Sequence, residues 1–140
     1  QLKYIDALVA RHTDNARFYR ERFAGLPGLQ LLDYQDDRES AAWLFTMRVK
    51  NRLEFMKSME DAGITTSQVH ARNDLHTMFK DSLRTDLHGV DAFTEDQVSI
   101  PVGWWLTPEQ REHIAQTVEQ ICGITRLQRA DVIEKAISKN

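Results

Sequence analysis

At 140 residues the chain is long enough for one hydrophobic core and too short for two, and its 41% apolar and 28% charged content is ordinary for a folded globular domain. No apolar run approaches the roughly 20 residues needed to cross a bilayer, which excludes a helical membrane span. A net charge of −3, with both signs interspersed and no block of Lys and Arg, argues against a nucleic-acid footprint.

Leu2, Ile5, Val9, His12, Ala16, Tyr19 and Phe23 recur at alternating steps of three and four, which predicts one helix from Gln1 to about Ala24. Gly25 ends it and Pro27-Gly28 makes the turn that follows. His12 lies on the apolar stripe, where a partly buried, hydrogen-bonded imidazole outweighs a catalytic one. Arg11, Asn15 and Arg17 flank that face. Leu29 to Asp33 reads as a first strand and Gln35 to Ser40 as a charged loop. Ala41 to Val49 then alternates as a core strand, with Trp43, Phe45, Met47 and Val49 on the buried side. Asn51 and Glu54 have the spacing of a capping box at the start of a second helix. Leu53, Phe55, Met56, Met59 and Ala62 form its apolar side, and Gly63 stops it.

The stretch from Gly63 to Phe79 concentrates the chemistry. Ile64 to Val69 is rich in β-branched residues and alternates weakly, as a short strand does. His70, Arg72, Asn73, Asp74 and His76 follow, five polar side chains within seven positions, too many to bury unpaired. A loop held between a helix and packed hydrophobics, here Met78 and Phe79, is a common place for binding residues. Its two histidines, six residues apart with no cysteine and no His-x-x-x-His pair, make a weak metal pattern, and no metal site is assigned. An anionic or polyhydroxylated ligand suits the residue types better: Arg72 can grip a phosphate with its fork, while Asn73, Asp74 and the imidazoles match sugar hydroxyls. On residue types alone, a solvated loop with no ligand stands at even odds with that reading.

Lys80 to Gln97 mixes charges with Leu83, Leu87, Val90 and Phe93, and reads as a loop with one short helix near Gly89 to Glu95 and an exposed His88. Val98 to Val102 is a last strand, with Pro101 confined to an edge or a strand end. Trp104 and Trp105 cannot both face inward with ease. At least one is expected on the surface, against a missing partner rather than stacked on a nucleobase. Thr107-Pro108-Glu109-Gln110 is a helix start with a capping box; Ile114, Val118 and Ile121 make the buried stripe, and Gly123 closes the helix. Ile124 to Asn140 is a further amphipathic piece carrying Leu127, Ile133, Ala136 and Ile137. The single cysteine, Cys122, sits in a buried-looking helix; it has no disulfide partner and suits a reducing compartment, which gives the cytoplasm as the expected location. No secretory signal is visible, and the chain begins inside an apolar-periodic run, so it reads as the C-terminal domain of a longer protein. The elements add up to an α+β fold, a small antiparallel or mixed sheet covered by helices, spanning residues 1–123 with an amphipathic extension over 124–140.

Several of these pieces stand in a recognisable order: Arg11, Asn15, Ala16 and Tyr19, then Trp43, Gly63-Ile64, Val69-His70, Leu75-His76, Ser99-Ile100-Pro101 and Leu106-Thr107. That order resembles the small domain of the DegT/DnrJ/StrS family of sugar aminotransferases. The resemblance implies the C-terminal small domain of a fold-type I enzyme, dependent on pyridoxal phosphate, that transfers an amino group to a nucleotide-linked keto-sugar in amino-sugar or polysaccharide biosynthesis. It implies a homodimer, and a large domain ahead of this one that carries the cofactor lysine and the phosphate-binding residues, so that the isolated chain is inactive and no catalytic residue is assigned in it. It implies that His70 and His76 contact the sugar nucleotide, with Arg72, Asn73 and Asp74 beside them setting sugar specificity, and that Arg11 and Asn15 tie the first helix to its neighbours. Ala71 departs from the aromatic residue the family often has after the first His. Two alternatives stay open: the branch of the family that removes a hydroxyl as a sugar 3-dehydratase, and a stand-alone binding or interaction module of the same fold.

Overall fold

The computed structural model describes residues 2–35, 37–82 and 85–137, with side chains through Gly123. After a 3-10 turn at Leu2–Tyr4 comes helix α1 (Ile5–Phe23), then strands β1 (Leu29–Leu31) and β2 (Phe45–Val49) and helix α2 (Arg52–Asp61). Two 3-10 turns, Asn73–Leu75 and Thr77–Phe79, lead to helix α3 (His88–Asp96), strand β3 (Gln97–Ile100) and the long helix α4 (Pro108–Ile137). The sheet has the order β1-β2-β3 and is antiparallel throughout, with Leu29 opposite Val49 and Phe45 opposite Ile100. The expected α+β arrangement is therefore present in its antiparallel form.

The core lies where β2 meets the helices. Phe45, Met47 and Val49 alternate inward along β2. Tyr19 and Phe23 of α1 stack at 5.6 Å, and Phe45 stands edge-on to Tyr19 at 5.2 Å. Burial of each phenylalanine ring contributes about 1.5–3 kcal/mol, while the buried Tyr19 hydroxyl, without a partner among the described residues, offsets part of what its ring contributes. Phe55 and Met59 of α2, Val98 and Ile100 of β3, and Ile114, Ala115, Val118 and Cys122 of α4 complete the cluster. Leu2 and Ile5, by contrast, stand exposed, so the first turns of the α1 stripe are not covered by the described residues.

Helix ends follow the local chemistry where it is complete. At the start of α4 the Thr107 amide donates to Gln110 Oε1 at 2.9 Å and the Gln110 amide to Thr107 Oγ1 at 3.2 Å, which is the expected capping box. At the end of α2, Gly63 takes φ 76°, its amide reaches the Glu60 carbonyl at 2.8 Å, and the Ile64 amide reaches Met59 at 2.9 Å. This paired closure, with Ile64 and Met59 both buried, is the Schellman arrangement.

Elsewhere the structure corrects the reading of the sequence. Asn51 is itself left-handed (φ 58°) and makes no side-chain cap, so no capping box forms with Glu54; a capping side chain reaches the helix amides from an extended backbone. Leu53 faces solvent, leaving Phe55 and Met59 as the buried side of α2. The alternation starting at Ala41 does not hold, because Ala42 adopts φ 48° and breaks the pleat; β2 begins only at Phe45, and Trp43 stands 71% exposed instead of in the core. Ile64 to Val69 forms a single bridge, Ser67 to Ser99, rather than a strand. Met78 and Phe79 are exposed, not packed. β1 ends at Leu31, short of Asp33. Gly123 does not end its helix: it lacks a left-handed φ, and α4 runs unbroken to Ile137. Leu83 and the side chains of Leu127, Ile133, Ala136 and Ile137 lie outside the described residues.

Candidate functional site

The segment after α2 is fastened before it reaches its polar residues. Ser67 exchanges both backbone hydrogen bonds with Ser99 of β3, at 3.1 and 2.8 Å. Gln68 Nε2 donates to the Thr94 carbonyl at 3.1 Å, and buried Gln97 donates from Nε2 to the His70 carbonyl at 2.9 Å. The chain then closes into its two 3-10 turns, with the His76 amide on the Asn73 carbonyl at 3.1 Å and the Phe79 amide on the His76 carbonyl at 2.9 Å. The backbone is thus tied down, and the side chains divide into two sets.

His70, Asn73 and His76 point outward and are exposed, beside the exposed apolar surfaces of Val69, Leu75, Met78 and Phe79. Arg72 turns the other way, with only 15% of its side chain accessible. Its Nε and Nη2 donate to the two oxygens of Asp74 at 2.9 and 2.7 Å, and Nη1 to Asp91 of α3. The hydrogen bond to Asp74 holds the Arg72 guanidinium above its usual range. His70, Asn73 and His76 are therefore each exposed to solvent, while Arg72 and Asp74 form a strut within the loop.

A concave region elsewhere on the chain escaped the sequence reading. A cleft of about 800 Å³ opens between the start of α4 and the segment before β2, lined by His12, Trp43, Ile64, Trp105, Gln110 and His113 among others. None of the five loop residues lines it. His12 donates from Nδ1 to the Ala42 carbonyl at 3.1 Å, so its imidazole is the partly buried, hydrogen-bonded one expected, and Trp105 meets it edge-on at 6.1 Å. The Trp105 ring lies directly over Gly103, where a β-carbon would fall 2.1 to 2.4 Å from three ring carbons. Trp104 and Trp105 are both exposed. The residues lining the cleft come from α1, β3, α4 and three separate connecting segments, and no local spacing announces their meeting. The wall behind them is built by Asn15, which donates from Nδ2 to the carbonyls of Val102 and Gly103 at 3.1 and 3.0 Å and accepts from Arg111 at 3.3 Å. Arg11 reaches the Leu106 carbonyl at 3.5 Å. Both thus tie α1 to the chain around them, as the resemblance implied.

A Schiff-base lysine needs a desolvated or otherwise depressed amine. Lys3, Lys50 and Lys80 are exposed, and Lys57 is exposed and paired with Asp61, which raises its pKa. The described residues do not fit pyridoxal phosphate. Among them no group of three His, Cys, Asp or Glu side chains converges to hold a metal. Burial pushes the Cys122 thiol up to about 11, which leaves little thiolate for nucleophilic work at neutral pH.

The profile of the DegT/DnrJ/EryC1/StrS aminotransferase family matches residues 1–119. The sugar aminotransferase CalS13 from Micromonospora echinospora is 42% identical and superposes with a TM-score of 0.81, over 85% of this chain and 32% of its own. AtS13 from Actinomadura melliaura is 40% identical with a TM-score of 0.81, over the same shares of 85% and 32%. The erythromycin biosynthesis sensory transduction protein EryC1 of Saccharopolyspora erythraea is 27% identical over 123 residues, which is 85% of this chain and 33% of that protein. The chain spans about a third of the length of these relatives.

Proposed function

The chain belongs to the DegT/DnrJ/EryC1/StrS aminotransferase family, and from that membership we propose that it is the C-terminal small domain of an aminotransferase that uses pyridoxal phosphate and acts on a nucleotide-linked keto-sugar. The observation that carries this reading is the 42% identity, at a TM-score of 0.81, to a sugar aminotransferase. In this proposal the cofactor, with its electron-sink chemistry, belongs to a part of the parent protein outside these 140 residues, and the parent acts as a homodimer.

This domain's part is substrate orientation. His70, Asn73 and His76 stand on a loop whose backbone is fastened to β3 and α3, and fixed polar groups lose less entropy on binding than mobile ones. Imidazole and amide groups donate to and accept from hydroxyls, and the exposed Leu75, Met78 and Phe79 beside them supply apolar surface that excludes water when a ligand or a neighbouring domain covers it. In the full-length protein, His70→Ala or His76→Ala is expected to lower kcat/KM for the sugar roughly 10-fold, the loss of one good hydrogen bond. The visible absorption of the bound cofactor is expected to stay the same. Unaltered turnover in both variants would remove the loop from the site.

A further inference from the structure

The Arg72 fork is already filled. Two of its nitrogens meet both oxygens of Asp74, the paired geometry that a guanidinium otherwise offers to a phosphate. A third nitrogen meets Asp91, in the first turn of α3. One guanidinium against two carboxylates leaves the cluster net negative, so an arriving phosphate would have to displace an acidic group and then face the other. Helix α3 is itself held on the sheet, because Arg48 of β2 pairs with Asp96 at 2.8 Å and reaches the Ala92 carbonyl at 3.3 Å, and Arg52 donates to the Thr94 carbonyl. A continuous line of charge-assisted contacts therefore runs from β2 through α3 to Arg72 and the loop.

We propose that Arg72 is a positioning residue: with Asp74 and Asp91 it locks the His70 to His76 loop onto α3, and the loop meets the uncharged, hydroxyl-bearing ring of the ligand rather than its phosphates. The second half rests on the sugar-substrate reading above; the lock does not. Asp74 sets the shape of the loop from within, and Asp91 sets where that shape sits against the sheet. Side chains as exposed as Asp91, 55% accessible, give weaker pairs than the Asp74 bond, so the two acids differ in the size of their contribution.

Amide hydrogen exchange on the 140-residue chain tests the lock. Arg72→Lys keeps the charge and removes the fork; exchange at the loop amides from Ala71 to Phe79 is expected to quicken about 10-fold, while β2 and α1 keep their rates. Asp91→Asn should move the same amides less, and Asp91→Glu, which restores a carboxylate, should return them to the wild-type rate. Unchanged loop exchange in Arg72→Lys, or failure of Asp91→Glu to differ from Asp91→Asn, overturns the lock. Titration with inorganic pyrophosphate, followed at the Arg72 Nε–H resonance, tests the second half. The expected result is no saturable shift; saturable binding that Arg72→Lys abolishes would make Arg72 an anion clamp and overturn it.

Discussion

The contact between Gly103 and Trp105 offers the sharpest test of how the cleft wall is built. Gly103→Ala places a methyl group 2.1 to 2.4 Å from three carbons of the Trp105 ring, whereas comfortable carbon contacts need about 3.5–4.0 Å. The backbone there lies outside the left-handed region, so alanine adds only this steric demand. Either the ring retreats by about 1.5 Å or the backbone does. The backbone is held by Asn15 on the Gly103 carbonyl at 3.0 Å and by the Leu106 amide on the same oxygen at 3.2 Å, while the ring is 59% exposed and free to swing outward. The ring should therefore yield, at a cost near the low end of overpacking, about 1 kcal/mol. For a domain of this size that lowers Tm by about 3–4 °C. With Trp43 and Trp104 replaced by Phe so that Trp105 alone emits, the emission maximum should shift to the red as the ring enters water. An unchanged Tm with unchanged emission would refute the reasoning; a Tm loss beyond about 8 °C would mean the backbone moved instead.

Asn15→Ala removes the buried donor for the Val102 and Gly103 carbonyls and should destabilise the chain by about 1–3 kcal/mol, read from urea unfolding. Cys122, raised from 9.0 to about 11 in the folded chain, binds its proton more tightly folded than unfolded. Its contribution is therefore present below pH 9 and lost as pH rises toward 11, so the wild type should lose more stability across that window than Cys122→Ala, measured by chemical denaturation at each pH.

What the sequence disclosed, and what it hid, divides along the range of the interactions. The Thr107–Gln110 box and the Gly63 closure each involve a few consecutive residues, and both were readable. The core stripe of α1 from Ala16 to Phe23 was equally plain, since Tyr19 and Phe23 keep helical spacing. Trp43 was misread because the left-handed turn at Ala42 leaves no mark in the residue type; alanine is not a residue that signals positive φ. Gly123 was misread for the opposite reason, a residue type that permits a break in a place where the helix simply continues. The polar loop was found by composition and by family resemblance, yet the inward turn of Arg72 depends on Asp91, 19 residues further on. The cleft of His12, Trp43, Trp105 and His113 depends on contacts between distant elements in the same way.

The single rung between Ser67 and Ser99 also decides how anything else can attach to the sheet. One edge strand, β1, is only three residues long, and on the opposite edge that rung and the Gln97 contact to His70 cover β3, whose four residues are all buried. Growth of the sheet by an incoming strand, the least selective form of protein association, finds little open backbone to template it. A neighbour must instead engage side chains such as the exposed tryptophans or the imidazoles of the loop, and those discriminate by shape and hydrogen-bonding pattern in a way that a bare strand edge does not.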